Sequence, residues 1–324
     1  MIQKIDAYHN GCMLYYKDDK DEDACRFCGV DRYKACGRGK SVGTRKPTSS
    51  MHYLPLMPRL QRLFMVKETA ENMSWHKREH TEGVLDHPSD GEAWKHFDRE
   101  YPDFASDPRN VRLGLCSDGF TPFGLLGSQY SCWPVIVTPY NLPPWMCMKT
   151  PYMFLTVIIP GPNNPKRNID VYLQPLIDEL NQLWEVGSNT YDVSRKQNFQ
   201  MRAALMWTIN DFPAYGMLSG WSTHGRLSCP CCMDDTKAFR LKHGGKPCFF
   251  DCHRQFLPKD HPYRRNMNTF CARVVEKVNL PPKWPGYMIW EEVKDLPRAI
   301  EEPAMGYKFD GFGRTHDWTK RSIL

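Results

Sequence analysis

A chain of 324 residues with 10 Trp, 15 Tyr and 16 Phe carries enough apolar and aromatic surface for a sizeable core, which excludes a disordered polymer. Its longest apolar run, 152–159, is far too short to span a bilayer, and the first six residues lack the apolar stretch of a secretory signal. A net charge of +6 suits an acidic polymer as partner without selecting one, and thirteen cysteines, odd in number and clustered at ligand spacing, favour metal over disulfides.

Residues 1–45 read as a small Cys-rich module of zinc-ribbon type. Cys12, Cys25 and Cys28 offer three thiolates, and the two-residue gap between Cys25 and Cys28 lets one turn grip a tetrahedral ion. A fourth ligand is not obvious, His9 being the nearest candidate, and ordinary buried cysteines are the plain alternative. The module ends in a basic, Gly-rich stretch at 34–46, whose later part from Arg38 to Lys46 is a faint nuclear-localisation candidate.

Residues 46–108 form a helical linker region. Over 53–75, Leu56, Leu60, Leu63 and Phe64 share one helical face, with Arg59, Arg62 and Lys67 mostly elsewhere. Such a helix can touch phosphates, but a docked helix with a solvated face is the commoner case. A polar, acidic stretch follows, with a short helix predicted at 91–99. Trp75, His76 and His87 read as packing and loop residues.

The best-organised segment is 109–215. Val111, Leu113 and Leu115 alternate with Arg112, Gly114 and Cys116, the period of a strand, and Asp118 follows at its end beside Gly119. Strands are predicted at 132–139 and 152–160, both rich in Val, Ile and Phe and bounded by Pro and Gly. A helix is expected over 170–184, with Leu173, Leu176, Ile177, Leu180, Leu183 and Trp184 as its stripe, Asp170 as cap and Gly187 after its end. Pro175 argues for a start one turn later. A last strand, 201–210, delivers Asp211. Strand-Asp, strand, strand, helix, strand-Asp is the order of the ribonuclease-H-like fold, in which the first and fourth strands are neighbours. Two carboxylates meeting at one sheet end would hold divalent metal, although most Asp at strand ends only cap turns.

Beyond Asp211 the composition changes. In 216–270, Cys229 and Cys232 with His253 and His261 have the makings of a Cys2His2 zinc insertion, for which Cys231, Cys248 and Cys252 are spare thiols. A cysteine-rich loop without metal is the alternative. His224 in Ser222-Thr223-His224-Gly225 is a weaker candidate for approach to metal or DNA. The tail, 271–324, is irregular, and its Glu291, Glu292, Glu301 and Glu302 read as solvated surface residues rather than catalytic ones.

Several runs of unusual residues then stand out together. They are Cys25-Arg26-Phe27-Cys28-Gly29, Pro58-Arg59-Leu60-Gln61-Arg62-Leu63-Phe64, Trp75-His76, the Asp118-Gly119 block, Asn210-Asp211-Phe212-Pro213-Ala214, Gly220-Trp221-Ser222-Thr223-His224-Gly225, and the Cys/His block from Cys229 to His261. On these the chain resembles the transposases of plant CACTA (En/Spm-type) DNA transposons over nearly its whole length. It departs from them in carrying Tyr8 where they have a cysteine.

The resemblance implies a DDE/D-type DNA transposase. Its fold would be α/β, a ribonuclease-H-like mixed sheet interrupted by a zinc-binding insertion, with a small Cys-rich N-terminal module. Asp118 and Asp211 would be the first two catalytic acids on Mg²⁺ or Mn²⁺, and Cys229, Cys232, His253 and His261 would hold Zn²⁺. Two metals would stabilise the attacking and leaving oxygens of a phosphodiester, in hydrolysis and strand transfer at transposon ends. The third acid is expected past Leu324, which makes this a truncated copy. The implied partner is DNA at the terminal repeats, with no membrane role; a homo-oligomer is compatible, and the nucleus is the implied location. The alternative is a non-catalytic, zinc-stabilised nucleic-acid-binding protein derived from a transposase.

Overall fold

The structure, a computed structural model, describes residues 2–8, 10–35, 45–123, 130–270, 273–303 and 318–324. His9 and the centre of the basic stretch, 36–44, lie outside the described residues.

The fold is mixed α/β. Its strands are β1 (Gln3–Ala7), β2 (Ser49–Tyr53), β3 (Val111–Ser117), β4 (Trp133–Pro139), β5 (Phe154–Ile159), the hairpin pair β6 (Ser188–Asp192) and β7 (Gln197–Met201), and β8 (Ala203–Ile209). Six of them form one sheet in the order β1-β2-β5-β4-β3-β8. β3, β4 and β5 meander antiparallel, and β8 returns parallel to β3. Between β2 and β3 lie α1 (Met57–Met65), α2 (Lys67–Asn72), α3 (Glu92–Glu100) and α4 (Pro102–Ser106), while α5 (Pro144–Cys147) joins β4 to β5. A parallel return needs a long crossover, and α6 (Ile169–Glu185) supplies it.

The apolar stripe of α6 behaves as its spacing predicts: Leu173, Leu176, Leu180 and Leu183 are buried in the main core. Pro175 stays inside the helix. Its missing N–H would strand the carbonyl of Val171 one turn back, and the side-chain amide of Gln174 donates to that oxygen instead, at 2.9 Å. Asp170 is not the expected cap. It lies inside the first turn, fully buried, with Oδ1 2.5 Å from Nζ of the equally buried Lys320. That pair fixes 318–321 to the core, and Thr319 N donates to the carbonyl of Gly220 at 2.8 Å.

The helix expected over 53–75 is broken. Tyr53 belongs to β2, and Val66 is extended (φ −109°, ψ 123°), separating α1 from α2. Thr69 hydroxyl donates to the carbonyls of Leu63 and Val66 at the break, which offsets the lost ladder. Leu56, Leu60, Leu63 and Phe64 are all buried as the periodicity implies. Arg59 turns its guanidinium onto the carbonyls of Pro55 and Leu155, at 2.8 and 2.7 Å, and so ties α1 to the sheet.

β3 is covered on both sides. Arg112 is fully buried, its guanidinium 4.8 and 5.1 Å from the Trp94 and Phe104 rings and paired with Asp98. Beside it, the buried Asn141 accepts from Arg112 N at 2.8 Å and donates to the carbonyls of Met73, Pro108 and Asn110. Trp75, His76 and His87 are packing residues: His76 and His87 are buried, with ring centroids 5.1 and 5.9 Å from Trp94.

Two expectations about stability follow. Lys320→Met leaves Asp170 buried without its cation and lowers the unfolding free energy by about 3–5 kcal/mol, whereas removing both charges in Asp170→Leu/Lys320→Met restores most of it. Urea titration checks both, and an unchanged midpoint in the single variant would show that the pair does not hold the segment. The second concerns pH. Burial holds His76 down at about 3 and His87 at about 4, so between those values and about 6.5 the unfolded chain binds more protons than the folded one. The two histidines' contribution to stability is therefore lost as pH falls from about 6.5, by up to about 1.4 kcal/mol per pH unit each. Asp170, whose carboxyl burial raises to about 6, opposes that loss below this value. His76→Leu flattens the loss by up to about 1.4 kcal/mol per pH unit.

Candidate functional site

The parallel pairing of β3 and β8 builds one end of the sheet. The ladder runs Val111↔Ala203 to Leu113↔Leu205, then skips a residue so that Gly114 faces Trp207 and Cys116 faces Ile209. Met206 is the extra residue of this bulge. The ladder ends at Cys116↔Ile209, so Asp118 and Asp211 follow the ends of two parallel neighbours, two residues past their last paired positions. Gly114 is required at the bulge, because a Cβ there would stand 2.5 Å from the Tyr140 ring and 2.8 Å from Trp207 Nε1. An asparagine locks each end of the pair. Asn110 Oδ1 accepts from Arg202 N at 2.9 Å, and Asn210 Oδ1 accepts from Ser117 N at 3.1 Å.

Asp118 and Asp211 are both exposed. Asp118 Oδ1 accepts from Gly119 N at 2.7 Å, holding the turn that leaves β3. A Cβ on Gly119 would lie 2.6 Å from the Trp133 ring, so the turn closes only over glycine. Asp211 caps the helix α7 (Phe212–Ser219), with Oδ1 2.9 Å from Ala214 N. Each bond uses one lone pair of a carboxylate that has about four, which leaves room for a hard cation. Among the described residues neither carboxylate forms an ion pair with Lys, Arg or His. Phe120 and Phe123, shortly after Asp118 in the chain, and Phe212, next to Asp211, are exposed. Sequence reasoning did not single these rings out; their signal was Phe212 next to Asp211 and Phe120 two residues after Asp118.

The N-terminal cysteines form the second cluster. Cys12, Cys25 and Cys28 place their sulfurs within 4.8 Å of one another, Cys25 to Cys12 at 3.8 Å and Cys12 to Cys28 at 3.9 Å. In a tetrahedral zinc–thiolate centre with bonds of about 2.3 Å, sulfurs lie about 3.8 Å apart. The spacing therefore fits a metal such as zinc. Burial first, then the neighbouring Cys25 and Cys28, push the Cys12 thiol well above its ordinary range. Burial also acts to raise Cys28, but hydrogen bonds from Val30, Cys25, Tyr8 and Cys12 outweigh it and hold that thiol low. Packed thiols of this kind gain from a cation that stabilises their charged forms.

The remaining candidates are spread out. Cys229 and Cys232 are neighbours, and burial followed by contact with Cys229 pushes the Cys232 thiol up to about 12. His253 lies beside Phe249 and Phe256, and His261 Nδ1 accepts from Tyr263 N at the start of a short helix, Pro262–Arg265. Among the described residues these four are not gathered into one ligand set. His224 is exposed. Glu291 and Glu292 fall on a helix, Gly286–Val293, that the sequence did not predict and that buries none of its residues; Glu291 pairs with Lys294 and Glu301 with Arg298.

An α/β protein with paired carboxylates at one sheet end and a thiol cluster at its N-terminal module is thus defined. The family model described as Transposase family tnp2 matches residues 82–296, a span that includes both acids. The chain belongs to this family of transposases. No curated protein matches it.

Asp211 has a structural duty separable from any metal. Asp211→Ala removes the cap and costs about 1 kcal/mol, while Asp211→Asn, an equally good cap, leaves the thermal midpoint within error. Equal midpoints for the two variants would show that the cap contributes nothing.

Proposed function

We propose that the chain is a DDE/D-type DNA transposase of the CACTA (En/Spm) kind, built on a ribonuclease-H-like core and acting on transposon-end DNA in the nucleus. The observation that carries this reading is the bulged β3–β8 register, which brings Asp118 and Asp211 to the same sheet end in a member of a transposase family. The strand order β5-β4-β3-β8, with only the last pair parallel, supports the core assignment.

In this reading Asp118 and Asp211 hold Mg²⁺ or Mn²⁺ through oxygens not spent on their local hydrogen bonds. Such ions, when bound, supply Lewis acidity to the scissile phosphodiester and to its attacking oxygen. The residues of the chain orient that chemistry. Gly119 N and Ala214 N fix the two carboxylates, and Asn210 ties the strand ends from which both project. Phe120, Phe123 and Phe212 offer faces on which unpaired bases can stack. Zinc is the metal proposed for Cys12, Cys25 and Cys28. No helix among the described residues is long and apolar enough to cross a membrane.

The test is Mn²⁺ binding followed by electron paramagnetic resonance, alongside DNA binding at low salt. Asp118→Asn and Asp211→Asn are each expected to weaken Mn²⁺ at least about tenfold while DNA affinity holds or rises, because a negative charge near the phosphates is lost. Mn²⁺ binding indifferent to both substitutions would defeat the assignment. DNA binding without any such metal would favour the non-catalytic, zinc-stabilised binder.

A further inference from the structure

We infer that Tyr8 is the fourth ligand of a metal ion held by Cys12, Cys25 and Cys28, so that the N-terminal module is a three-thiolate, one-phenolate centre. The inference deepens the reading of this cluster as a metal site and rests on it.

The geometry comes from two tight turns. In the first, Tyr8 N donates to the Met13 carbonyl at 3.0 Å and Gly11 N to the Tyr8 carbonyl at 2.8 Å, which folds Cys12 back beside Tyr8. In the second, Cys25 N donates to the Val30 carbonyl at 2.9 Å and Gly29 N to the Cys25 carbonyl at 2.7 Å, which brings Cys28 beside Cys25. The second turn contributes two sulfurs and the first contributes one. Among the described residues the first turn also brings Tyr8 to the cluster, 3% exposed and packed with Cys12, Met13, Tyr15 and Cys25. Its hydroxyl is hydrogen-bonded to Cys28, across from its own turn. The first turn is also held from outside, since Gly11 approaches Tyr172 of α6 so closely that a Cβ would meet the ring hydroxyl at 2.9 Å.

Three sulfurs within 4.8 Å of one another leave one vertex of a tetrahedral centre, and zinc takes oxygen as well as sulfur and nitrogen ligands. Two phenols pack there, and Tyr8 is hydrogen-bonded to Cys28 whereas the buried Tyr15 hydroxyl has no hydrogen-bond partner among the described residues. Binding is a proton exchange: each thiol and the phenol gives its proton to the buffer as its bond to the metal forms. No oxidant or reductant takes part.

Co²⁺ and Zn²⁺ titrations of the full chain test this. With wild type, Co²⁺ should produce thiolate charge-transfer absorption together with a tyrosinate difference band. Tyr8→Phe should lose the tyrosinate band, release one proton fewer, and bind Zn²⁺ at least about tenfold more weakly, since even outer-shell partners are worth that much. Tyr8→Cys should bind Zn²⁺ at least as tightly as wild type and shift the Co²⁺ spectrum to that of four thiolates, which separates ligand loss from misfolding. Unchanged affinity in Tyr8→Phe, with no tyrosinate band in wild type, would overturn the assignment of Tyr8 while leaving a three-cysteine site. Absence of thiolate absorption in wild type, or affinity indifferent to Cys12→Ser, would overturn the metal reading itself.

Discussion

The parallel pairing of β3 with β8 is the constraint on which the rest of the molecule depends. Parallel neighbours cannot be joined by a tight turn, so everything from β4 to β7 is crossover, and α6 covers the sheet because that crossover must pass over it. The pair is fixed by more than its ladder. Asn110 and Asn210 each use a side-chain oxygen to take a backbone N–H of the partner segment, one at each end. Between them the bulge at Met206 sets the phase in which the two acids emerge. An extra residue in one strand thus changes which residues of β8 lie beside the last residues of β3.

Buried polar groups do much of the positioning in this fold. Asn141 binds the Met73 carbonyl and, in the stretch 108–112, two carbonyls and one N–H, and Arg112 lies between aromatic rings with Asp98 as its counter-ion. Asp170 and Lys320 join α6 to 318–321, which in turn grips Gly220 at the end of α7. Since α7 starts on Asp211, the cap at one end and the clamp at the other hold the same helix. Breaking any of these groups singly leaves an unmatched polar atom in a dry place, which costs more than the interaction itself contributes.

The two candidate centres differ in kind. The acids are exposed, hold only local hydrogen bonds and suit a hard, partly hydrated cation that must still meet a substrate. The thiols of Cys12 and Cys25 are buried, and the cluster is closed by Tyr8 and Tyr15, as befits an ion that shapes a module instead of reacting. Membership of a transposase family gives the exposed pair its interest, while the thiol cluster stands on its own geometry.

Much of this was legible in the sequence because it depends on local pattern. The strands around Leu113, Val137 and Val157, the stripe of α6, and the acids at two strand ends all follow from periodicity and turn residues. The thiol cluster followed from the spacing of Cys25 and Cys28. What pattern did not reveal was set by distant partners. Asp170 reads as a helix cap until Lys320, 150 residues away, meets it in the core. Arg112 reads only as the alternate of Val111 and Leu113 in its strand until α3 and α4 close over it. The hairpin of β6 and β7 is too polar to show a period, and Gln174 gave no hint that it would stand in for the amide of Pro175. The sequence alone determined which residues could carry metal chemistry, because ligand chemistry belongs to side-chain type. Which of them come together was decided only by the tertiary structure, through the parallel pairing of β3 with β8 and the two turns that bring Tyr8 to the cysteines, since strand neighbours and turn contacts depend on the whole sheet and its surroundings.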